Sequence, residues 1–339
     1  MAKDQNKKPW KAELPEVSDS EEARLRRKWE REQKMKETQR ERRLREQKKK
    51  LRALMILAVT AAVLIVVLAV LTVNVIVPSI RYSQAERLLE DGKYAEAIIA
   101  FRKITGYKDA DERLQEAIYL QAVKLSGKED VSYETSATAP WFSITESGVL
   151  DFDEDRYKGD WHIKIPDVFD GVLVTELSEQ IFAHRTELLS VEISDCVLRI
   201  DDYAFLGCNA LKEVKLPTHL TALGAGAFEV CAALESVTFG EKLETIGTSA
   251  FAKCKRLTEI TLPNSLKTLG GRAFNSCKGL RTVTLGSGLE SLGAYPFSSC
   301  DALETLYFLG TEAEWAALAA DADRLGIEGV SIVFRGSEG

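Results

Sequence analysis

Histidine is scarce: His162, His184 and His219 are the only three in 339 residues, and none stands with a Cys, Ser or Asp partner in a recognisable nucleophile motif. No Gly-rich loop able to cradle a phosphate is present either. Catalysis is therefore not expected, and no cofactor is implied. Charge is missing altogether from Ala53 to Val77, a run of 25 residues in which only Thr60, Thr72 and Asn74 are polar. At 1.5 Å per residue this run spans roughly 37 Å as a helix, enough to cross a hydrocarbon core of about 30 Å with some tilt. Pro78 closes it in this reading. A cleaved signal peptide is the alternative, but its apolar region is about 7 to 15 residues long and lies near the N-terminus.

Charge of either sign is unevenly placed. Met1 to Arg52 carries 19 Lys and Arg against 11 Asp and Glu, a net of 8 positive, and the remainder carries 26 against 41, a net of 15 negative. Cytoplasmic flanks of membrane spans are enriched in basic residues. Lys48, Lys49, Lys50 and Arg52 abut one end of the apolar run, whereas Arg81 is the only basic residue close to the other. The expected protein is thus a single-pass cell-membrane protein with a cytoplasmic tail over 1–52, a transmembrane helix over 53–77 and everything beyond Pro78 extracellular.

The tail from Glu21 to Arg52 is nearly all Glu, Arg, Lys and Gln, with Glu30–Lys34, Glu32–Lys36, Glu41–Arg45 and Glu46–Lys50 at helical spacing. A solvated helix is expected. The run reads either as a topology signal without a partner or as attraction to anionic lipid or an acidic partner. No aromatic or Gly-rich pattern accompanies it, so nucleic acid is not expected.

Residues 81–125 read as two helices joined at Asp91-Gly92, with Ala85, Leu88 and Leu89 on one face and Tyr94, Ala97, Ile98 and Phe101 on the next, then a third helix from near Asp109. GKYAEAIIAF resembles the second helix of a tetratricopeptide repeat. One such unit is fewer than the three or so that a free-standing helical solenoid needs, which favours a collar over a peptide groove. Residues 126–140, rich in Ser, Thr, Gly and charge, read as a linker.

The rest of the chain has an internal period. Phe182, Phe205, Phe228, Phe251, Phe274 and Phe297 stand 23 residues apart, and further apolar columns keep the same step: Leu188 to Leu303, Val191 to Leu306, Ile193 to Phe308, and a pair running from Val197 and Ile200 to Leu289 and Leu292. Phe, Cys and Leu at offsets 0, 3 and 6 suit a short helical segment, and the pair two apart, such as Val214 and Leu216, suits a strand. Gly224, Gly247, Gly270 and Gly293 share one position, where a sharp turn is expected to need positive φ. Each turn is thus expected to supply one strand, one bend and one helical turn, and stacked turns share a continuous core. The fold class so read is an α/β repeat, preceded by a transmembrane helix and a short helical hairpin.

AFAKCKRLTEITLPNSLKTLGGR followed by AFNSCKGLRTVTL resembles the BspA-type leucine-rich repeat of bacterial surface proteins. The resemblance runs from Gly148 to about Phe334, with a cap over 141–181, six repeats over 182–310 and a C-terminal cap over 311–339. In that last cap, Thr311 and Glu314 are spaced as a capping box, and Gly329 to Phe334 is expected to add a strand. The first turn departs from the pattern, with Arg185 for Cys and Asp201 for Gly. What the resemblance implies is an extracellular adhesion or protein-binding surface.

Cys208, Cys231, Cys254, Cys277 and Cys300 form one column, with Cys196 apart. A line of equivalent positions does not make a tetrahedral zinc site, and parallel side chains do not converge as disulfides require. Buried free thiols are expected, with disulfides between neighbouring turns as the alternative. Asp151, Asp153 and Asp155 alternate like the start of a calcium loop, but Arg156 and His162 stand where that loop has Gly and Glu. No metal is expected. The candidate ligand-binding face is the solvent side of the strand column: Glu213, Lys215, Ser236, Thr238, Glu259, Thr261, Thr282, Thr284, Thr305 and Tyr307. These residues could equally serve solubility and strand propensity alone. The functional expectation is a membrane-anchored extracellular protein-binding or adhesion protein. The alternative is an envelope scaffold or signalling subunit acting through the tail.

Overall fold

From Asp19 the chain runs as a single α-helix, α1, to Leu71. The computed structural model describes residues 19–319 and 325–335. It divides into two compact units, the first ending at Ile80 and the second spanning Arg81–Gly339. Within the first unit the apolar run is part of one helix long and apolar enough to cross a membrane. Pro78 does not end the helical stretch: a π-helical turn over Thr72–Ile76 intervenes, and helix α2 follows over Val77–Glu90. The Val77 N–H reaches back five residues to the Thr72 carbonyl. Proline lacks an N–H and its ring clashes with the carbonyl four residues earlier, so a widened turn just ahead of it lets the helical path continue. In the tail portion of α1, Arg26 pairs with Glu30 at 3.0 Å and Arg45 with Glu41 at 3.9 Å.

The second unit begins with a helical group. Helix α2 turns at Asp91-Gly92 into α3 (Tyr94–Arg102), and α4 follows over Ala110–Ser126. Ala85, Leu89, Ala97, Ile98, Phe101, Ala117 and Ile118 make a small core. Small Ala97, Ala110 and Ala117, all fully buried, allow close helix approach. The Tyr82 hydroxyl donates to the Asp109 carboxylate at 2.6 Å and Arg113 bridges to Glu86 at 3.1 Å, tying α2 to α4.

The stretch 126–140, expected as a linker, carries strand β1 (Tyr133–Glu134), paired in parallel with Val168–Phe169. Asp167, itself buried, accepts from the Ser132 N–H and hydroxyl at 2.8 Å each and from the Ser194 hydroxyl at 2.6 Å. One carboxylate thus ties this stretch to the first repeat turn, and Val168, Leu173 and Cys196 join the helical core.

The repeat array differs from the expected α/β turn in having two strands per turn and no helix. On one side of the array Glu213–Lys215 and Ser236–Thr238 form a parallel pair, and from the next turn Glu259–Thr261, Thr282–Leu285, Thr305–Phe308 and Ser331–Phe334 form a four-stranded parallel sheet. The residues expected to form only a bend pair as a second ladder through Glu176–Leu177, Arg199–Ile200, Ala222–Leu223, Thr245–Ile246, Thr268–Leu269 and Ser291–Leu292. Between the ladders the Phe-Cys-Leu stretch is a run of tight turns. Two positions per repeat forbid a right-handed helix there, because both have positive φ: Tyr203, Gly226, Ser249, Arg272 and Tyr295, two before each Phe, and Gly207, Val230, Lys253, Ser276 and Ser299, two after it. The fold is a β-solenoid preceded by helices.

The glycine column has a different cause from the one expected. Gly224, Gly247, Gly270 and Gly293 do not adopt positive φ; a Cβ on Gly247 would instead lie 2.5 Å from Gly224 C and Ala225 N, and one on Gly270 2.4 Å from Gly247 C. Successive turns approach backbone to backbone at this corner, and only glycine lets them stack.

The Phe rings form the spine. Phe205, Phe228, Phe251 and Phe274 stack with centroids 4.8, 5.4 and 5.3 Å apart and planes within 4° of parallel. The column extends to Phe182 and Phe297. Trp315 closes the C-terminal end against Phe308, held by helix α5 (Glu312–Leu318), whose first turn has the Thr311–Glu314 capping box. The strand Ser331–Phe334 completes that cap.

Candidate functional site

The ladder that carries the candidate residues is built by the apolar residue in the middle of each strand. Val214, Ile260, Val283 and Leu306 are buried and Val237 is half-buried, so strand pleating turns the residues on either side outward. Parallel pairing in 23-residue steps places Glu213 beside Ser236 and Lys215 beside Thr238. Glu259 likewise pairs with Thr282, which pairs with Thr305, and Thr261 pairs with Thr284, which pairs with Tyr307. The ten residues therefore fall into two parallel rows. Glu213, Lys215, Ser236, Thr238, Glu259 and Thr261 are exposed, whereas Thr282, Thr284, Thr305 and Tyr307 are half-buried.

Both rows extend further than the sequence period reveals. At one end His162 and Lys164 pair with Ser190 and Glu192; at the other Ser331 and Val333 pair with Thr305 and Tyr307. The step is 28 residues from Ile163 to Val191 and 26 from Leu306 to Ile332, so a search at 23 misses both. Outward alternation around Ile163 and Ile332 is the signal that remained. The Arg335 guanidinium lies 4.3 Å above the Tyr307 ring, giving that end of the face a cation–π pair. Near the other end, Lys128, Glu192, Glu213, Lys215 and Thr238 line a cavity of about 460 Å³.

The cysteines serve the stack. The thiols of Cys208, Cys231, Cys254, Cys277 and Cys300 each donate to the carbonyl of the Phe one turn earlier, at 3.1 to 3.2 Å. All six cysteines are free. Burial pushes the thiols of Cys196 and Cys208 up to about 12 and that of Cys300 up to about 11, which removes the thiolate that reactivity needs. The first turn has no Phe carbonyl behind it, and Arg185, in the Cys position, pairs with Glu154 of the N-terminal cap instead. Asp201, in place of the glycine, accepts from Arg199 at 3.0 Å. Asp151 accepts from the Ser178 hydroxyl at 2.9 Å and Asp153 pairs with Arg156 at 3.0 Å. Among the described residues, no three His, Cys, Asp or Glu side chains gather as a metal site would require.

The family match agrees with the geometry on the kind of repeat. Residues 175–304 match, in six copies, the family described as BspA type leucine rich repeat region. The array is a leucine-rich-repeat solenoid. The solenoid is similar to a leucine rich repeat protein of T. pallidum, with 27% identity over 56% of this chain and 95% of that one and a TM-score of 0.46. A leucine-rich repeat protein from Eubacterium ventriosum is similar at 24% identity, over 52% of this chain and 48% of that one, with a TM-score of 0.42. A leucine rich cell surface protein from Faecalibacterium prausnitzii gives 21% identity, 46% and 62% coverage and a TM-score of 0.30. No curated protein matches the chain.

Proposed function

We propose that this chain is anchored in the membrane through residues 53–77 and binds a protein or cell-surface ligand outside the cell along the two outward rows of its solenoid. The observation that carries the reading is the strand column: Glu213, Lys215, Ser236, Thr238, Glu259 and Thr261 are exposed, and parallel pairing holds Glu213 and Lys215 in register with Ser236 and Thr238, and Glu259 and Thr261 in register with Thr282 and Thr284. Solenoids use such extended faces for recognition. The anchor reading is supported by the apolar helix, and the orientation by the basic residues at its N-terminal flank. In this organisation residues 1–52 are the cytoplasmic tail, 81–125 a tetratricopeptide-like collar with 126–140 leading into the solenoid, 141–181 its first cap, 182–310 the repeats and 311–339 the closing cap.

Replacing Thr238, Thr261 and Thr284 together by Lys places three positive charges along the middle of one row without touching the core. The Arg81–Gly339 fragment carrying the three changes is expected to melt as the parent does and to lose capture of its surface ligand, because binding energy concentrates at the centre of an interface. Lys at Thr245, Thr248 and Ser291, exposed positions off this face, is expected to leave capture intact. Equal capture by parent and Thr variant moves the site off the ladder. Protease added to wall-stripped cells is expected to remove the residues after Arg81 and spare the tail; the reverse pattern overturns the orientation.

A further inference from the structure

The tail helix has an order that its composition hides. At 3.6 residues per turn, positions 24, 27, 31, 34, 38, 42, 45, 49 and 52 fall within about an 80° sector of one helical face. Eight of those nine are basic, Arg24, Arg27, Arg31, Lys34, Arg42, Arg45, Lys49 and Arg52, with Thr38 the exception and no acid among them. The glutamates between Arg24 and Arg52 all lie outside the sector; the nearest, Glu41, reaches Arg45 only at 3.9 Å. Arg27 Nε donates to the Ala23 carbonyl at 3.2 Å, and all eight side chains are exposed. The result is a basic stripe about 42 Å long, broken only at Thr38.

We infer that this stripe is a docking face for an acidic helix of a partner protein. An α-helix with Glu or Asp at the same three-and-four spacing presents charges at the same repeat, so two such helices side by side match along the full length. A second copy of this chain fits poorly, because the glutamates it has on one face, Glu30, Glu37 and Glu41, cover only about 17 Å of the stripe's length. A nucleic-acid duplex winds its phosphates around its axis and meets a straight stripe only where the two cross. Single strands are held by aromatic stacking, and the stripe has no aromatic residue. The bilayer does not fit either, since tail and apolar run are one α-helix from Asp19 to Leu71 and the stripe runs along the same axis that crosses the membrane. That last exclusion rests on the anchor reading; the spacing match does not.

The test uses the full chain in neutral phosphatidylcholine nanodiscs and two synthetic acidic helical peptides of identical composition. One has its Glu residues on a single face at three-and-four spacing, and the other has them spread around the helix. At low salt the striped peptide is expected to bind about tenfold more tightly, the sum of aligned ion pairs that are individually weak. The preference is expected to vanish in a variant with Arg27→Gln, Arg31→Gln, Arg42→Gln and Arg45→Gln. It should persist with Arg26→Gln, Lys28→Gln, Lys36→Gln and Arg40→Gln, which remove the same charge off the stripe. Gln is a good helix former, and circular dichroism checks that the helix survives; the two-peptide comparison on the parent chain decides alone if it does not. Equal affinity for the two peptides, equal loss in the two variants, or tighter binding of duplex RNA or of phosphatidylserine nanodiscs than of the striped peptide each overturns the inference. None of these outcomes bears on the solenoid face, which the Thr variants test separately.

Discussion

Removing one ring from the middle of the phenylalanine spine measures what the stack is worth. The Phe251 ring is fully buried, stacks on Phe228 at 5.4 Å and Phe274 at 5.3 Å, and meets the edge of Phe239 at 5.8 Å. Truncating a buried Phe to Ala costs about 3 to 5 kcal/mol through lost burial and the cavity left behind. Neighbours fixed by ladders on both sides cannot collapse into that cavity, and aromatic pairs add about 0.5 to 1.5 kcal/mol each, so Phe251→Ala belongs at the upper end of the range. Phe297, equally buried, stacks on Phe274 alone, at 5.7 Å, and Phe297→Ala should cost about 1 kcal/mol less. Urea unfolding of the Arg81–Gly339 fragment, followed by circular dichroism, reads both, and Phe251→Ala should lower the melting temperature by about 10 °C. A loss under about 1 kcal/mol at Phe251, or a larger loss at Phe297, refutes the stack as the main source of cohesion.

Gly247→Ala, whose Cβ would lie 2.5 Å from the backbone of the preceding turn, should cost at least about 3 kcal/mol in thermal unfolding, whereas Gly271→Ala, with Ala294 O at 3.2 Å, should cost clearly less. Asp167→Ala orphans the Ser132 N–H and hydroxyl and the Ser194 hydroxyl; limited proteolysis should then cut within 126–140, and stability should fall by about 2 to 4 kcal/mol. Thiol labelling of the folded fragment at pH 8 should be negligible, with Cys300, the only half-buried cysteine, reacting first. Because the folded thiols hold their protons above the ordinary value of 9.0, unfolding releases protons at alkaline pH. Stability should be flat below about 9 and fall as pH rises toward 11 to 12, by at most about 1.4 kcal/mol per pH unit for each thiol; Cys254→Val should shallow that slope, and an unchanged slope would refute it.

The features legible in the sequence are those that repeat at 23 or alternate at two. The Phe column, the strand around Val214 and the outward pairs on either side of it announce themselves because every turn meets the same neighbours. The second ladder was hidden: Leu266 and Leu269 are three apart, which reads as a bend, and a two-residue strand such as Thr268–Leu269 leaves no alternation to detect. The glycine column was visible, but its cause was not, since a backbone contact between residues 23 apart has no local signature. The tie from Asp167 to Ser132 and Ser194 is equally silent, joining residues 35 and 27 positions apart through one carboxylate.

The outward rows change character along their length, and that change gives the face a direction. Lys164, Glu192, Glu213, Lys215 and Glu259 put charge of both signs on the N-terminal part, whereas Thr282, Thr284, Thr305 and Tyr307 are uncharged and more deeply set, with the Arg335 guanidinium lying over Tyr307. Exposed charges act mainly on encounter rate and orientation and are screened by salt. The half-buried hydroxyls and the Tyr307–Arg335 pair are better placed to hold a contact once made. On the proposed reading, a ligand lying along the rows has its register set at one end and its residence time at the other: neutralising Glu213 and Lys215 should slow association in low salt, and Tyr307→Ala should speed dissociation at any salt.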